Sequence, residues 1–381
     1  MKRHIYIEDE SKCCGCNVCE NICPVQAIKI TINERGFNYP SIDDNKCIEC
    51  GLCIKKCSFQ NGEYENEFDL PEAYAIKHKN IEVIKKSRSG GAFTAFTDKI
   101  LAFDGIIYGC ITDDKYVAIH SRAINSEQRD EMRGAKYVQS NLKNIYPQIK
   151  KDLEEGKKVL FSGTSCQVAA IKTYFENIDT KNLIIVDLIC HGVPSPRVWK
   201  DFLEHCEKRY HGKITDVEFR NKNVYGWKDH VESITVNEKR HDSRIYTKLF
   251  HSHYILRPSC FECPYKHVIH QSDITIGDCW GIDKACPQME DNIGTSLVLV
   301  NNNKGKAFFD ECIEDLIYNK VELKNVMQPT LQNNFDKPSG MEEFWNYYNR
   351  YGFEGAIKKY KGVNESLKVK LYRKLHYFKN S

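Results

Sequence analysis

The sequence predicts a chain of mixed class in two parts, a small cysteine-dense α+β module followed by a larger α/β body. Two observations lead there. Nine of the eighteen cysteines fall before residue 58 of 381, eight of them in two tandem runs of one spacing. Beyond them, short β-branched runs recur between segments of helical apolar periodicity, the pattern of a sheet with helices packed on it. The length allows two or three domains and a substantial core. A net charge of +3 and an isoelectric point near 8.0 are only mildly basic and argue against a dedicated nucleic-acid binder. The mean hydropathy is -0.54 and no apolar run approaches about 18 residues, so no transmembrane helix is expected. The opening MKRHIYIEDES lacks the apolar core of a secretion signal, and a cytoplasmic location is expected. In that reducing setting, so many cysteines point to metals or thiol chemistry rather than disulfides.

The module comes first. Cys13, Cys16, Cys19 and Cys23-Pro24 follow C-x2-C-x2-C-x3-C-P, and Cys47, Cys50, Cys53 and Cys57 repeat it with Ser58 in the proline position. Three thiolates so spaced project inward from a tight loop onto one cubane, while the fourth starts a helix that carries it away. In two-cluster ferredoxins that fourth cysteine ligates the other cluster. The expected sets are therefore Cys13, Cys16, Cys19 and Cys57 on one 4Fe-4S cluster, and Cys47, Cys50, Cys53 and Cys23 on a second. AIKITINERGFNYPSID between them reads as strand, turn at Gly36, strand. A zinc module would show two separated C-x2-C pairs instead of tandem triplets. Cys14 reads as a bystander thiol. The module spans 1–62, and the acidic stretch ending near Pro71 makes 63–71 a linker. Such a module passes electrons without choosing a substrate, so the body is expected to hold the partner chemistry.

In the body, strand-like runs fall at 106–108, 158–161, 183–189, 274–276 and 296–300. Helical patterns include Phe93, Phe96 and Ile100, the stretch 304–319, and the aromatic 341–362. Three loops could carry chemistry. Ser89, Gly90 and Gly91 precede a helix, whose free amides and dipole suit a phosphate, with Arg88 close by. In LFSGTSCQVAAI a strand and a small-residue turn place Cys166 near a helix start, where the dipole favours thiolate. DLICHGVPSP puts Cys190 beside His191 at a strand's end. SCFECPYK adds Cys260 and Cys263. Together these four thiols could complete a cubane or an all-cysteine zinc site, or Cys166 and Cys190 could be small buried hydrophobes; spacing leaves the choice open. A further alternative is a thiol-dependent enzyme with Cys166 or Cys190 as nucleophile and His191 or Asp187 as helper. Neighbours on a strand point to opposite faces, which separates Cys190 from His191 unless the strand has ended. His191 itself is expected to pack or to bond its own loop. The end, SLKVKLYRKLHYFKNS, is a basic tail (363–381) with Leu367, Leu371 and Leu375 on one stripe. It reads as a solvated helix, with an anionic membrane surface or an acidic partner as the alternative contact.

SRSGGAFTAF, RGAKYVQS at 133–140, SGTSCQVAAI, DLICHGVPSP, C-x2-C-P and SDITIGDCWGI occur in this order. The combination resembles the beta subunits of coenzyme F-420 hydrogenases and dehydrogenases over roughly residues 72–355. Many of these also carry an N-terminal two-cluster ferredoxin domain. The resemblance implies a mixed α/β flavin-binding body with an N-terminal part at 72–155 and a C-terminal part at 156–362. It implies FAD and a third 4Fe-4S cluster on Cys166, Cys190, Cys260 and Cys263. It places Ser89, Gly90, Gly91, Lys136, Gly163 and Thr164 near flavin or substrate phosphates, and Asp278 and Trp280 at the flavin or in a turn. Cys279 stays outside the ligand set, and no catalytic residue is assigned. The implied function is an iron–sulfur flavoprotein oxidoreductase. A ferredoxin or partner redox subunit exchanges electrons with the clusters, and FAD serves a small-molecule two-electron substrate, coenzyme F-420 or another organic acceptor. The remaining alternative is a non-catalytic electron-carrier subunit.

Overall fold

The computed structural model describes residues 4–61, 67–142 and 144–360, so the basic tail and linker residues 63–66 lie outside the described residues. In the N-terminal module, β1 (Ile28–Ile32) and β2 (Asn38–Ile42) form an antiparallel hairpin. The Asn33 side chain closes its turn by accepting the Phe37 amide at 2.9 Å, and Gly36 takes a positive φ of 84° there.

The body is organised by one eight-stranded sheet. Its strands are β3 (Glu72–His78), β4 (Ile106–Thr112), β5 (Ala118–Ala123), β6 (Val159–Thr164) and β7 (Leu183–Leu188), then β11 (Ile274–Asp278), β12 (Ser296–Val300) and β13 (Leu316–Lys320), in spatial order β13-β3-β12-β11-β7-β6-β4-β5. The central neighbours β11, β7, β6 and β4 are parallel, and the flanking pairs are antiparallel. Apolar runs such as Leu183-Ile184-Ile185-Val186 and the wholly buried Ser296–Val300 suit strands covered on both faces. Helices Ala92–Leu101 and Asn303–Cys312 cover one face through Phe96, Phe308 and Phe309. Helices Ile145–Glu154 and Ser165–Tyr174 cover part of the other through Tyr146, Ile149 and Val168. A smaller antiparallel sheet of β8 (Ile214–Glu218), β9 (Glu232–Val236) and β10 (Lys239–Ser243) shares a second core with helices Pro196–Tyr210 and Met341–Tyr360.

Two expectations need correction. The helix expected over 304–319 ends at Cys312, and Leu316–Lys320 is instead the edge strand β13 on β3. Leu316 is buried while Ile317 and Tyr318 are 51% and 42% exposed; the free edge of β3 outweighs local helical propensity there. The aromatic helix at the C-terminal side is kinked at Gly352, whose φ is 64°.

The module does not hang from a linker. Its Cys14, Cys16 and Val18 belong to the same core as Tyr108, Tyr146 and Phe161 of the body. Tyr146 donates its hydroxyl to the Cys16 carbonyl at 2.8 Å, Gln139 Nε2 to the Cys14 carbonyl at 3.0 Å, and Tyr265 to the Ser58 carbonyl at 2.9 Å. These bonds fix the first cysteine loop against the sheet, because each buried carbonyl would otherwise lack a partner.

Candidate functional site

Ligands in open α/β sheets sit beyond the carboxyl ends of the parallel strands. Here β6 ends at Thr164 and leads to Cys166 at the start of its helix, while β7 ends at Leu188 and leads to Cys190. Thr164 and Leu188 are register partners, so the two thiols emerge side by side. A turn after Arg257 brings Cys260 and Cys263 to the same place, tied down where the Val193 amide donates to Cys260 Sγ at 3.4 Å. The four thiols line one space of about 480 Å3. Cys13, Cys16, Cys19 and Cys57 line a second, of about 340 Å3. Cys14 and Phe59 belong to both walls. Of the remaining module cysteines, Cys23 packs with Cys53, whose sulfur accepts the Ile5 amide at 3.2 Å. Cys50 is exposed and Cys47 half-buried on the loop before them.

Electrostatics bears on whether these cradles suit an iron–sulfur group. Burial, reinforced by Cys260, pushes the Cys190 thiol up to about 12, and burial with Cys166 and Cys260 raises Cys263 well above its ordinary value. Cys14 donates toward Cys166 and holds that thiol down at about 7. Four such neighbours cannot all ionise without a cation among them, which is what iron supplies. A second observation agrees. His270 is 6% exposed, lines the larger space and holds the Asp187 carboxylate through Nδ1 at 2.6 Å, while its Nε2 is buried without a partner. In metal sites a ligating histidine is anchored through its other nitrogen by a carboxylate in this way, so the free Nε2 gives this side of the space an unmet polar group. Each cradle presents four cysteine thiols, the donor type that iron–sulfur clusters take.

The two expected helpers of a thiol enzyme are engaged elsewhere. The strand has indeed ended before Cys190, so alternation does not keep His191 away. The His191 ring instead meets His253, with 2.8 Å between Nε2 atoms, and packs on Phe335. Asp187 is held by His270 and by Ser272 at 2.7 Å.

The positions assigned to phosphates are dispersed. Thr164 caps the Cys166 helix, its amide donating to Gln167 at 3.0 Å, and its hydroxyl lies 3.3 Å from Cys166 Sγ. At Gly163 a Cβ would meet Gln167 and the Phe161 ring at 3.0 Å. Ser89 donates to the Thr295 carbonyl at 2.6 Å, the Gly90 amide to Ser296 at 2.9 Å, and Gly91 caps the helix Ala92–Leu101. Lys136 lines neither cradle. Its ammonium donates to the Glu131 and Arg133 carbonyls at 2.8 Å and is pulled down to about 8 by burial.

Sequence reading missed a buried group of cations at the carboxyl end of β11. Arg220 pairs with Asp278 at 2.8 Å, and Lys222 donates to the Ser89 carbonyl at 3.0 Å. Arg88 binds the Arg220 and Trp227 carbonyls, leaving its buried Nε unpartnered. Trp227 and Trp280 stack at 4.7 Å beside them. Burial and Arg88 pull the Lys222 ammonium down to about 7. Three cations against one close carboxylate, with an orphan donor, suit an anionic group such as a cofactor pyrophosphate. The only local sign was the arginine before the SGG loop; Arg220 and Lys222 sit in an unremarkable RNKN.

Residues 156–326 match the family of the C terminus of the coenzyme F420 hydrogenase/dehydrogenase beta subunit, and residues 12–61 match a 4Fe-4S dicluster domain. The chain is 20% identical over 374 residues to the F subunit of the F(420)H(2) dehydrogenase of Methanosarcina mazei, covering 91% of this chain and 95% of that protein. A methylamine utilization ferredoxin-type protein of Methylobacillus flagellatus is 38% identical over 48 residues, 11% of this chain and 20% of that one. A chain of the F420-reducing [NiFe] hydrogenase complex of Methanosarcina barkeri superposes with a TM-score of 0.48 at 16% identity, over 78% of this chain and 94% of that chain. No described helix is long and apolar enough to cross a membrane. Residues 156–326 thus resemble the C-terminal region of coenzyme F420 hydrogenase/dehydrogenase beta subunits, and a 4Fe-4S dicluster domain precedes them.

Proposed function

We propose that this chain is an iron–sulfur flavoprotein oxidoreductase. It would exchange electrons between a redox partner at the N-terminal module and a two-electron organic substrate at the body. Coenzyme F420 is the first candidate substrate, since it appears in the names of the family and of the Methanosarcina mazei relative. Bound in such places, 4Fe-4S clusters supply one-electron transfer and FAD joins single electrons to a two-electron step.

One observation carries the reading: the module cradle and the body cradle share the wall made by Cys14 and Phe59. Cys13, Cys16, Cys19 and Cys57 would hold one cluster, and Cys166, Cys190, Cys260 and Cys263 a third. Cys23, Cys47, Cys50 and Cys53 would hold the outermost, nearest a partner, because Cys50 is exposed. Arg88, Arg220 and Lys222 would bind the FAD pyrophosphate, with Ser89 holding Lys222 in place and Trp227 and Trp280 excluding water. The two portions of the body, 72–155 and 156–362, contribute strands to one sheet and act as a single support.

The test is anaerobic. The purified chain is reduced with dithionite, offered coenzyme F420 and then other organic acceptors, and analysed for released flavin. Expected are FAD on denaturation and acceptor-dependent reoxidation. Clusters that cycle without flavin or acceptor turnover would make it an electron carrier and overturn the enzyme reading.

A further inference from the structure

We infer that Arg257 is the shared counter-charge of the module cradle and the body cradle, raising the reduction potential of whatever cluster each holds. The inference rests on the cluster reading above and extends it to a residue that holds no iron.

Arg257 is 0% exposed. Its side chain reaches into the module: Nε donates to the Cys13 carbonyl at 2.7 Å and Nη2 to the Asn38 carbonyl at 2.7 Å, while Nη2 lies 3.6 Å from Cys13 Sγ. Nη1 donates to Gln139 Oε1 at 3.0 Å. The guanidinium stacks over Tyr39, 4.4 Å from the ring centre. Its own amide donates to the Val193 carbonyl in the loop that follows Cys190, and the residue lines the body cradle. The packing is close enough to dictate a glycine: a Cβ at Gly15 would lie 2.8 Å from Arg257 Nη1, and φ there is 72°.

Among the described residues no carboxylate pairs with this guanidinium. Burying a charge is costly unless an opposite charge accompanies it. The guanidinium lies instead against Cys13 of the module cradle, and Arg257 shares the wall of the body cradle with Cys260, so the sulfurs of both stand where its charge is felt. An iron–sulfur cluster on four thiolates is a net anion and gains one further negative charge on reduction, with no bond made or broken and no proton required. A fixed buried cation beside it favours the reduced form, and local charge is among the factors that set such potentials. Neither described cradle wall places Arg257 at Cys47 or Cys50, so the outermost cluster serves as an internal control.

The experiment compares holoprotein of the wild type, Arg257→Gln, Arg257→Lys and Gln139→Glu by iron and sulfide analysis and EPR-monitored redox titration with dithionite. Gln139→Glu keeps the arginine and sets a carboxylate against it at the cost of the Nε2 bond to the Cys14 carbonyl, so it reads the charge even where Arg257→Gln fails to fold. Arg257→Gln and Gln139→Glu are each expected to lower the potential of two of the three clusters. The expected size is about tenfold or more in the reduced-to-oxidised ratio at fixed potential, about 59 mV for a one-electron couple. Arg257→Lys should restore most of it, and the third cluster should stay unmoved. Intact iron with unmoved potentials in both charge variants, or an equal shift of all three clusters, would overturn the inference. Wild-type protein without iron would instead overturn the cluster reading itself.

Discussion

The module cradle and the body cradle present the same four thiols by opposite means. Cys13, Cys16 and Cys19 come from a single loop, with Cys57 added by the mirror run. The body set is gathered from the ends of two parallel strands and a distant turn, with 96 residues between Cys166 and Cys263. A local cradle needs only correct spacing. An assembled one needs the sheet register, the Val193–Cys260 contact and the Asp187–His270 support behind it. Damage to the fold should therefore empty the body cradle before the module cradle.

The sharpest way to break this contrast is Cys190→Ser. We predict the loss of one whole cluster, from about twelve to about eight irons per chain, with the module's EPR signals retained. Loss of every signal would mean the cradles are not independent. Cys57→Ser should act on the module alone and remove the cluster of Cys13, Cys16 and Cys19, not that of Cys47, Cys50 and Cys53; the opposite pattern would reverse the pairing.

A smaller effect is expected from Asp187→Asn. Burial favours the neutral acid, but His270 and the hydroxyls of Ser272 and Thr275 hold the Asp187 carboxyl below its usual value. Stability from such a group is present above the unfolded carboxylate value, near pH 4, and is lost as pH falls through the lower folded value. The variant should weaken the fold at neutral pH and flatten its loss on acidification. It should also release body-cradle iron to a chelator several-fold faster than module iron. Equal release from both would erase the difference between local and assembled cradles.

The smallest change is at the seam. Tyr146→Phe leaves the buried Cys16 carbonyl without its donor, a loss of about 1–3 kcal/mol. Faster amide exchange over residues 13–19, with no change around Cys260, would show that the seam supports only the module side.

The two cradles also differ in how far the sequence discloses them. Tandem spacing was enough to bring Cys13, Cys16, Cys19 and Cys57 around one space, because a short loop leaves thiols little freedom. Cys166, Cys190, Cys260 and Cys263 could be grouped only through resemblance, since strand order is a tertiary property. The central strands were legible as apolar runs, whereas β13 was read as helix because its pattern is decided by the edge it joins. Arg257 and His270 left no signal at all. Each is singled out by burial and an unmet charge or donor, and neither is visible before the chain folds.

The most direct test of the account is anaerobic analysis of the wild-type holoprotein for iron, acid-labile sulfide, zinc and flavin. Three occupied cradles predict about twelve irons and twelve sulfides per chain, as three clusters of four, together with one FAD and no stoichiometric zinc. About eight irons, zinc in the body cradle or the absence of flavin would contradict it.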